Sequence, residues 1–139
     1  MPPGRGARKR PAPVRGWLDG AIMAALSAAE APMGSYDLLR AIGRAAPQPL
    51  YPNQIYRALE RLIRDRRVVR IESAASYMPS RGLCGVVLLC GLCGAAMLVE
   101  RLDLHERLAA QAQAQGFALR RPVLEMVGRC PACLRPGPP

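Results

Sequence analysis

Apolar residues in the first part of the chain recur at the three- and four-residue spacing of amphipathic helices. The first run predicts a helix over 17–30, followed by a break at 32–34. Ser35 is a suitable N-cap for a short second helix, and Gly43 is suited to end it. The pattern therefore predicts two helices before residue 44.

A third helix is predicted to begin at Pro52, because proline suits the first turn of a helix. Its apolar positions form one stripe, made of Ile55, Leu59, Leu62 and Ile63. Arg57, Arg61 and Arg64 recur at the same three- and four-residue spacing on another face of this helix. Apolar runs at 68–73 and 75–78 then predict a two-stranded wing. Three helices followed by this hairpin predict a winged helix-turn-helix over 17–79.

The second half of the chain alternates short apolar runs with one helical pattern. The predicted elements are strands at 85–90 and 95–100, a helix over 104–115, and a third strand from Phe117 to Val127 broken at Pro122. Asp103 is a suitable N-cap for the helix, with Leu104 and Leu108 on its apolar face and His105 at the surface. The predicted fold class is α+β, and the open edge of so small a sheet favours homodimerisation.

Positive charge is concentrated in the first half of the chain. The net charge is +10, and residues 1–81 hold 14 basic and 6 acidic side chains against 6 and 4 in residues 82–139. Residues 1–16 are rich in Pro, Gly and Arg and are predicted to be a disordered basic arm. The asymmetry predicts double-stranded DNA as the partner of the first half, with the third helix in a major groove. A solvated basic face is the alternative interpretation of these arginines.

Two CxxC motifs supply the candidate chemistry of the second half. Cys90 and Cys93 are separated from Cys130 and Cys133 by 36 residues, and four thiolates suit one tetrahedral Zn²⁺. The alternatives are a pair of disulfides or a redox-active CxxC. The chain has no signal peptide, so we expect a cytoplasmic protein, in which disulfides are disfavoured.

A membrane-spanning helix is an alternative for residues 82–99, which carry no charge. Four glycines and a central CxxC within this stretch favour two short strands around a metal-binding turn instead. An enzyme is not expected, because His105 is the only histidine and no phosphate-binding GxxxxGK[ST] loop is present.

Several blocks in the right order resemble the ferric uptake regulator (Fur) family, and within it the zinc uptake regulator branch. The blocks are 35–39, 55–59, 70–73, 89–94, 116–119, Glu125 and 128–133. The resemblance covers about 17–134. It implies a homodimeric DNA-binding repressor that recognises a palindromic operator, with a winged helix at 17–80 and a dimerisation domain at 81–139. It also implies that the four cysteines of the CxxC motifs hold a structural zinc.

The resemblance places Tyr36 and Arg57 where the family touches bases, with Tyr56 beside them. An arginine can bind O6 and N7 of guanine together, which gives about 1–3 kcal/mol of discrimination. The full predicted DNA-contacting set is Tyr36, Asn53, Gln54, Tyr56, Arg57, Arg61 and Arg64.

One implied feature of the family is missing. Zinc uptake regulators build a second, sensory zinc site at the junction of the two lobes from His, Cys, His and an acidic residue. The corresponding positions here are Val69, Ser80, Leu83 and Leu98. A histidine-rich sensory site therefore cannot form, and the sequence predicts a regulator that binds DNA without an inducing metal.

Cys84 is the fifth cysteine and is not needed for the predicted zinc site. We hypothesise a redox or soft-metal sensor, since a thiolate near Arg81 could be reactive; the alternative is a buried apolar cysteine. Mass spectrometry that finds Cys84 unmodified after mild peroxide would exclude the sensor.

A second hypothesis for the whole chain is a zinc-stabilised protein-interaction module without regulated DNA binding, which would show no salt-dependent DNA affinity.

Overall fold

The computed structural model describes residues 15–82, 85–120 and 123–137. The first lobe consists of α1 (Arg15–Ala28), β1 (Met33–Gly34), α2 (Ser35–Gly43), α3 (Pro52–Arg64), β2 (Val68–Ile71), a 3₁₀ turn (Glu72–Ala74) and β3 (Ser76–Pro79). The second lobe consists of β4 (Gly85–Cys90), β5 (Ala96–Glu100), α4 (Leu102–Ala114), β6 (Glu125–Gly128) and α5 (Pro131–Leu134). The predicted α+β class is confirmed.

Three helices and a small sheet enclose the core of the first lobe. The fully buried side chains at its centre are Ile22, Leu38, Ile55, Leu59 and Leu62. Strand β3 lies between β1 and β2, and both pairings are antiparallel. The third helix begins at Pro52 as predicted, and the two strands of the predicted wing are β2 and β3.

Three details of the first lobe differ from the prediction. Helix α1 starts at Arg15, inside the range predicted as a disordered arm; the rest of that arm, residues 1–14, lies outside the described residues. The N-cap of α2 is Gly34, whose N–H donates to Asp37 at 3.3 Å, while the Ser35 hydroxyl donates to the Tyr56 hydroxyl. Strand β1 was not predicted, because two residues are too short for a periodic signal.

The second lobe is built on a three-stranded sheet with β4 in the centre. Strand β5 pairs with β4 in the antiparallel direction, and β6 pairs with β4 in the parallel direction. The strand predicted from residue 117 begins only at Glu125, and Phe117 is 67% exposed. Arg121 and Pro122 lie outside the described residues.

Helix α4 packs on β4 through a face that the sequence did not predict. Asp103 lies inside the first turn, where it pairs with Arg101 at 3.0 Å, and the N-cap is Arg101. His105 is buried, whereas Leu108 is 40% exposed, so the expectation of a surface histidine was wrong. The His105 ring lies in hydrogen-bond contact with a backbone carbonyl of β4, which explains its burial.

The two lobes meet through an apolar cluster and one carboxylate. Ile71 of the first lobe is buried with Val87 and Leu89 of the second, and the partly buried Val69, Met78, Ala96 and Leu98 pack around them. The Glu125 carboxylate accepts hydrogen bonds from the backbone N–H groups of Glu72 and Ser73. These contacts fix β6 against the 3₁₀ turn of the first lobe.

The stretch that carried the membrane alternative forms strands. Residues 85–90 and 96–100 pair as an antiparallel hairpin, so a spanning helix over this stretch is wrong. Leu83 and Cys84 lie outside the described residues. In the part of the chain that the structure describes, no helix is both long and apolar enough to cross a membrane.

Candidate metal centre and nucleic-acid interface

The fold brings the four cysteines of the CxxC motifs together. Cys90 ends β4 and Cys93 lies in the following turn, while Cys130 and Cys133 lie at the start and inside α5. Strand β6 runs parallel to β4 with Gly128 opposite Cys90, so the second motif begins beside the first. All four sulfur atoms lie within 4.8 Å of one another.

The distances between the sulfurs suit a tetrahedral metal ion. The Sγ atoms of Cys93 and Cys130 are 3.7 Å apart. Four ligands at about 2.3 Å from a tetrahedral zinc ion would have their sulfurs about 3.8 Å apart, whereas a disulfide needs about 2.05 Å. The four cysteines are free thiols, so the disulfide alternative is wrong for this arrangement.

The protonation of these thiols also indicates a need for a cation. Hydrogen bonds from the backbone of Cys93, Cys130 and Leu92 lower the pKa of Cys90 to about 6. Hydrogen bonds from the neighbouring cysteine side chains, together with burial, raise the pKa of Cys133 to about 12. The backbone therefore stabilises one thiolate, and a divalent cation is needed for all four sulfurs to be ionised together.

Most of the predicted DNA-contacting residues lie on one exposed surface of the first lobe. This surface is formed by α3 and the start of α2, on the side away from the apolar core. Tyr36 and Tyr56 are 63% and 42% exposed, and Asn53, Arg57 and Arg64 are exposed as well. Gln54 is half-buried, and its side-chain oxygen accepts a hydrogen bond from the Tyr51 N–H at 2.9 Å, at the start of α3.

Arg61 differs from the other arginines of α3. Its guanidinium forms two hydrogen bonds with the Asp19 carboxylate of α1, at 2.7 and 3.3 Å. The hydrogen bond to Asp19 raises the pKa of Arg61 despite partial burial. The structure therefore uses Arg61 to join α1 to α3. Asp19 lies 42 positions away in the sequence, and no local pattern links the two residues.

The positions that the resemblance assigns to a sensory metal carry no metal-binding group in the described part of the chain. Val69 and Leu98 pack on the apolar cluster between the lobes. Ser80 is buried, and its hydroxyl donates a hydrogen bond to the Arg66 carbonyl. Leu83 and the hypothetical sensor Cys84 lie outside the described residues. Within those residues, the cysteine cluster is the one group of potential metal ligands that converge.

Two contacts of polar side chains have no signal in the sequence pattern. Glu125 was noticed only as part of a resemblance, yet it joins the lobes. His105, predicted at the surface, is buried against the Gly85 carbonyl of β4. The apolar–polar pattern could not reveal either contact, because each depends on how distant segments pack.

Comparisons with known proteins agree on one family, although no family model matches the chain. The zinc uptake regulation protein of Escherichia coli (strain K12) is 30% identical over 122 residues, covering 81% of this chain and 68% of the relative. The relative from Shigella flexneri gives the same values.

Solved structures show the same likeness. A zinc uptake regulator in complex with zinc and DNA is 28% identical, with a TM-score of 0.76 over 94% of this chain and 85% of that chain. Holo XcZur is also 28% identical, with a TM-score of 0.72 over 93% of this chain and 88% of that chain. The ferric uptake regulator of Helicobacter pylori is 13% identical and shares the fold, with a TM-score of 0.58 over 88% of this chain and 83% of that chain.

The cysteine cluster predicts one zinc ion per chain. We expect Cys130→Ser to lose that zinc and to melt at a lower temperature, because structural zinc contributes folding free energy, about 10–16 kcal/mol in zinc-finger peptides. Elemental analysis by mass spectrometry and thermal unfolding check this. Cys84→Ser is the matched control and should keep its zinc. Wild-type protein without bound zinc, or an equal loss of zinc in the two variants, would contradict the assignment of the four cysteines as zinc ligands.

The Glu125 contact predicts a pH-dependent contribution to stability. Burial raises the pKa of this carboxyl, but hydrogen bonds from Ser73 and from the Glu72 N–H outweigh it and leave the pKa below its ordinary value. Glu125→Gln should lower the free energy of unfolding by about 1–2 kcal/mol at pH 7. Because the folded-state pKa is lowered, this difference should persist above the unfolded-state pKa of about 4.3 and shrink as the pH falls through the folded-state value.

Urea unfolding at a series of pH values measures this difference. Glu106→Gln, an exposed carboxyl of α4, is the control and should change the free energy of unfolding little at any pH. Equal effects of the two substitutions at pH 7 would show that Glu125 does not hold the lobes together.

Proposed function

The chain belongs to the zinc and ferric uptake regulator family, and on that premise we propose that it is a sequence-specific DNA-binding regulator of transcription. We propose further that it acts as a homodimeric repressor on a palindromic operator. The domain limits proposed with it are a winged-helix reader at 17–80 and a dimerisation domain at 81–139.

One observation carries the proposal: α3 buries one face in the core and exposes the other with its base-reading candidates. Ile55, Leu59 and Leu62 are buried, while Tyr56 and Arg57 on the same helix are exposed. The hydrogen bond between Ser35 and Tyr56 joins the start of α2 to α3 on the exposed side. A helix held in this way can enter a major groove with its side chains pre-positioned.

Zinc has a structural role in this proposal. Cys90, Cys93, Cys130 and Cys133 would hold one Zn²⁺, which would join α5 and β6 to β4. The support is the 3.7 Å separation of two of the sulfurs and the approach of all four to within 4.8 Å. When bound, the ion supplies positive charge that keeps the thiolates ionised, and it takes no part in a reaction.

The same geometry supports DNA binding without an inducing metal. Where the family resemblance places a sensory zinc, Val69 and Leu98 contribute aliphatic side chains that pack on the apolar cluster around Ile71. Glu125 adds a charged hydrogen-bonded contact across the same junction. We propose that these contacts hold the lobes in the orientation that binds DNA.

The surface of the second lobe supports the proposed homodimer. Leu88, Met97 and Met126 lie side by side across the three strands, and they are 39%, 61% and 64% exposed. The outer edges of β5 and β6 pair with no other strand among the described residues. A row of large apolar side chains beside these edges is suited to a second copy of the chain. A symmetric dimer would present two α3 helices to the two halves of a palindrome.

Single arginine substitutions test the proposed reader, using a DNA site selected from a random library. Arg57→Ala should weaken specific binding about 5- to 150-fold, the equivalent of about 1–3 kcal/mol, and relax the preference at one base pair. Arg64→Ala should weaken binding to all sequences and reduce the salt slope by about 1. Arg61→Ala should mainly lower stability, because Arg61 is paired with Asp19.

Arg107→Ala on α4 removes an exposed charge from the second lobe and is the control. Fluorescence anisotropy at several salt concentrations and urea unfolding measure these effects. If no selected site emerges and affinity does not depend on salt, the chain is a zinc-stabilised protein-interaction module instead.

A further inference from the structure

The Ser35 hydroxyl makes its contact outside its own helix. Ser35 lies in the first turn of α2, where a serine often caps the helix through its side chain. In α2 the Gly34 N–H donates to the Asp37 carboxylate at 3.3 Å instead. The Ser35 hydroxyl donates to the Tyr56 hydroxyl of α3 at 3.0 Å, across 21 positions of sequence. This contact therefore links two helices of the proposed DNA-binding surface and is not part of the cap.

Tyr56 points in a different direction from its neighbour Arg57, although both side chains are exposed. Successive residues of an α-helix are rotated by about 100° around the helix axis. The contact with Ser35 shows that the Tyr56 side chain turns towards the start of α2. With Arg57 directed at the floor of a major groove, Tyr56 is directed at the groove wall on the α2 side. In helix-turn-helix proteins the helix before the reading helix crosses the DNA backbone, so this wall carries phosphates.

The two hydroxyl groups leave one proton for a partner outside the protein. Each hydroxyl has a single proton to donate. The Ser35 proton is used in the contact with Tyr56, so the Tyr56 proton remains to donate outwards. A hydroxyl that already accepts one hydrogen bond is polarised, which strengthens the bond that it donates. Phosphate oxygens only accept, and tyrosine side chains are among the groups that contact them.

We propose that Ser35 is a positioning residue for DNA recognition, which holds the Tyr56 hydroxyl ready to donate to a phosphate oxygen at the edge of the major groove. The inference rests on the proposed function and adds to it a phosphate contact without a positive charge. Holding the Tyr56 side chain in place before binding also reduces the conformational entropy that is lost in the complex.

A double-mutant cycle measures whether the two hydroxyls act as one unit. Tyr56→Phe should weaken binding to the DNA site selected from a random library about 5- to 20-fold, and Ser35→Ala about 3- to 10-fold. In protein that already carries Tyr56→Phe, the further change Ser35→Ala should weaken binding less than about twofold. Neither substitution alters a charge, so the salt dependence of the affinity should keep its wild-type slope. Fluorescence anisotropy measures all four affinities.

Two control variants separate positioning from a general loss of structure. Ser35→Thr keeps the hydroxyl and should bind to within about twofold of the wild type. Tyr36→Phe removes the hydroxyl next to Ser35 in the sequence, and its effect should add to that of Ser35→Ala, because Ser35 is bonded to Tyr56. Urea unfolding of each variant completes the comparison. A merely structural contact would lower the free energy of unfolding and leave the DNA affinity of the folded protein unchanged.

Single methylphosphonate replacements in the DNA locate the partner of Tyr56. At one phosphate of the site, the replacement should weaken binding of the wild type more than binding of Tyr56→Phe, because the variant already lacks that contact. If Tyr56→Phe is coupled instead to a base substitution, such as 7-deazaguanine in place of guanine, the phosphate assignment is wrong.

Three further results would overturn the inference while the wild type still binds the selected site in a salt-dependent way. They are full affinity of Ser35→Ala, additive losses from Ser35→Ala and Tyr56→Phe, and no rescue by Ser35→Thr. A wild type that selects no site from the library would remove the proposed function and this inference together. The wild-type titration therefore distinguishes the two failures.

Discussion

The four-sulfur cluster is the contact on which the rest of the second lobe depends. Strand β6 pairs with β4 in parallel, although 34 residues separate Cys90 from Glu125, and the sulfurs close this long connection at one end. Once β6 is in place, Glu125 reaches the 3₁₀ turn of the first lobe. The proposed metal ion would therefore support more than the C-terminus, since the orientation of the two lobes depends on the strand that it fixes.

The junction between the lobes has a different chemistry from that implied by the family resemblance. Ile71, Val87 and Leu89 form an apolar contact that needs no cation, and Val69 and Leu98 extend it. Apolar contacts form whether or not a metal ion is present. The preference for one orientation of the two lobes therefore does not depend on metal supply. The Glu125 carboxylate, which accepts the backbone N–H groups of Glu72 and Ser73, is the charged contact at this junction.

The sequence predicted the parts of the structure that have a local signal. Strand β4 and helix α3, which runs from Pro52 to Arg64, appear where proline, glycine and apolar spacing placed them. The doubled CxxC spacing predicted the convergence of the sulfurs. Other features depend on contacts between distant segments: the Asp19–Arg61 pair, strand β1 against β3, and the burial of His105 under β4. Alternation of apolar and polar residues carries no information about such partners.

We propose that zinc supports the fold of this protein and does not switch its DNA binding on or off. The most direct test measures DNA affinity by anisotropy in a series of zinc buffers, with bound zinc counted in the same samples. We expect a constant DNA affinity as long as one zinc per chain is bound, and loss of affinity only when that ion is lost. An affinity that rises with a second equivalent of zinc, when the cysteine cluster is already full, would contradict it.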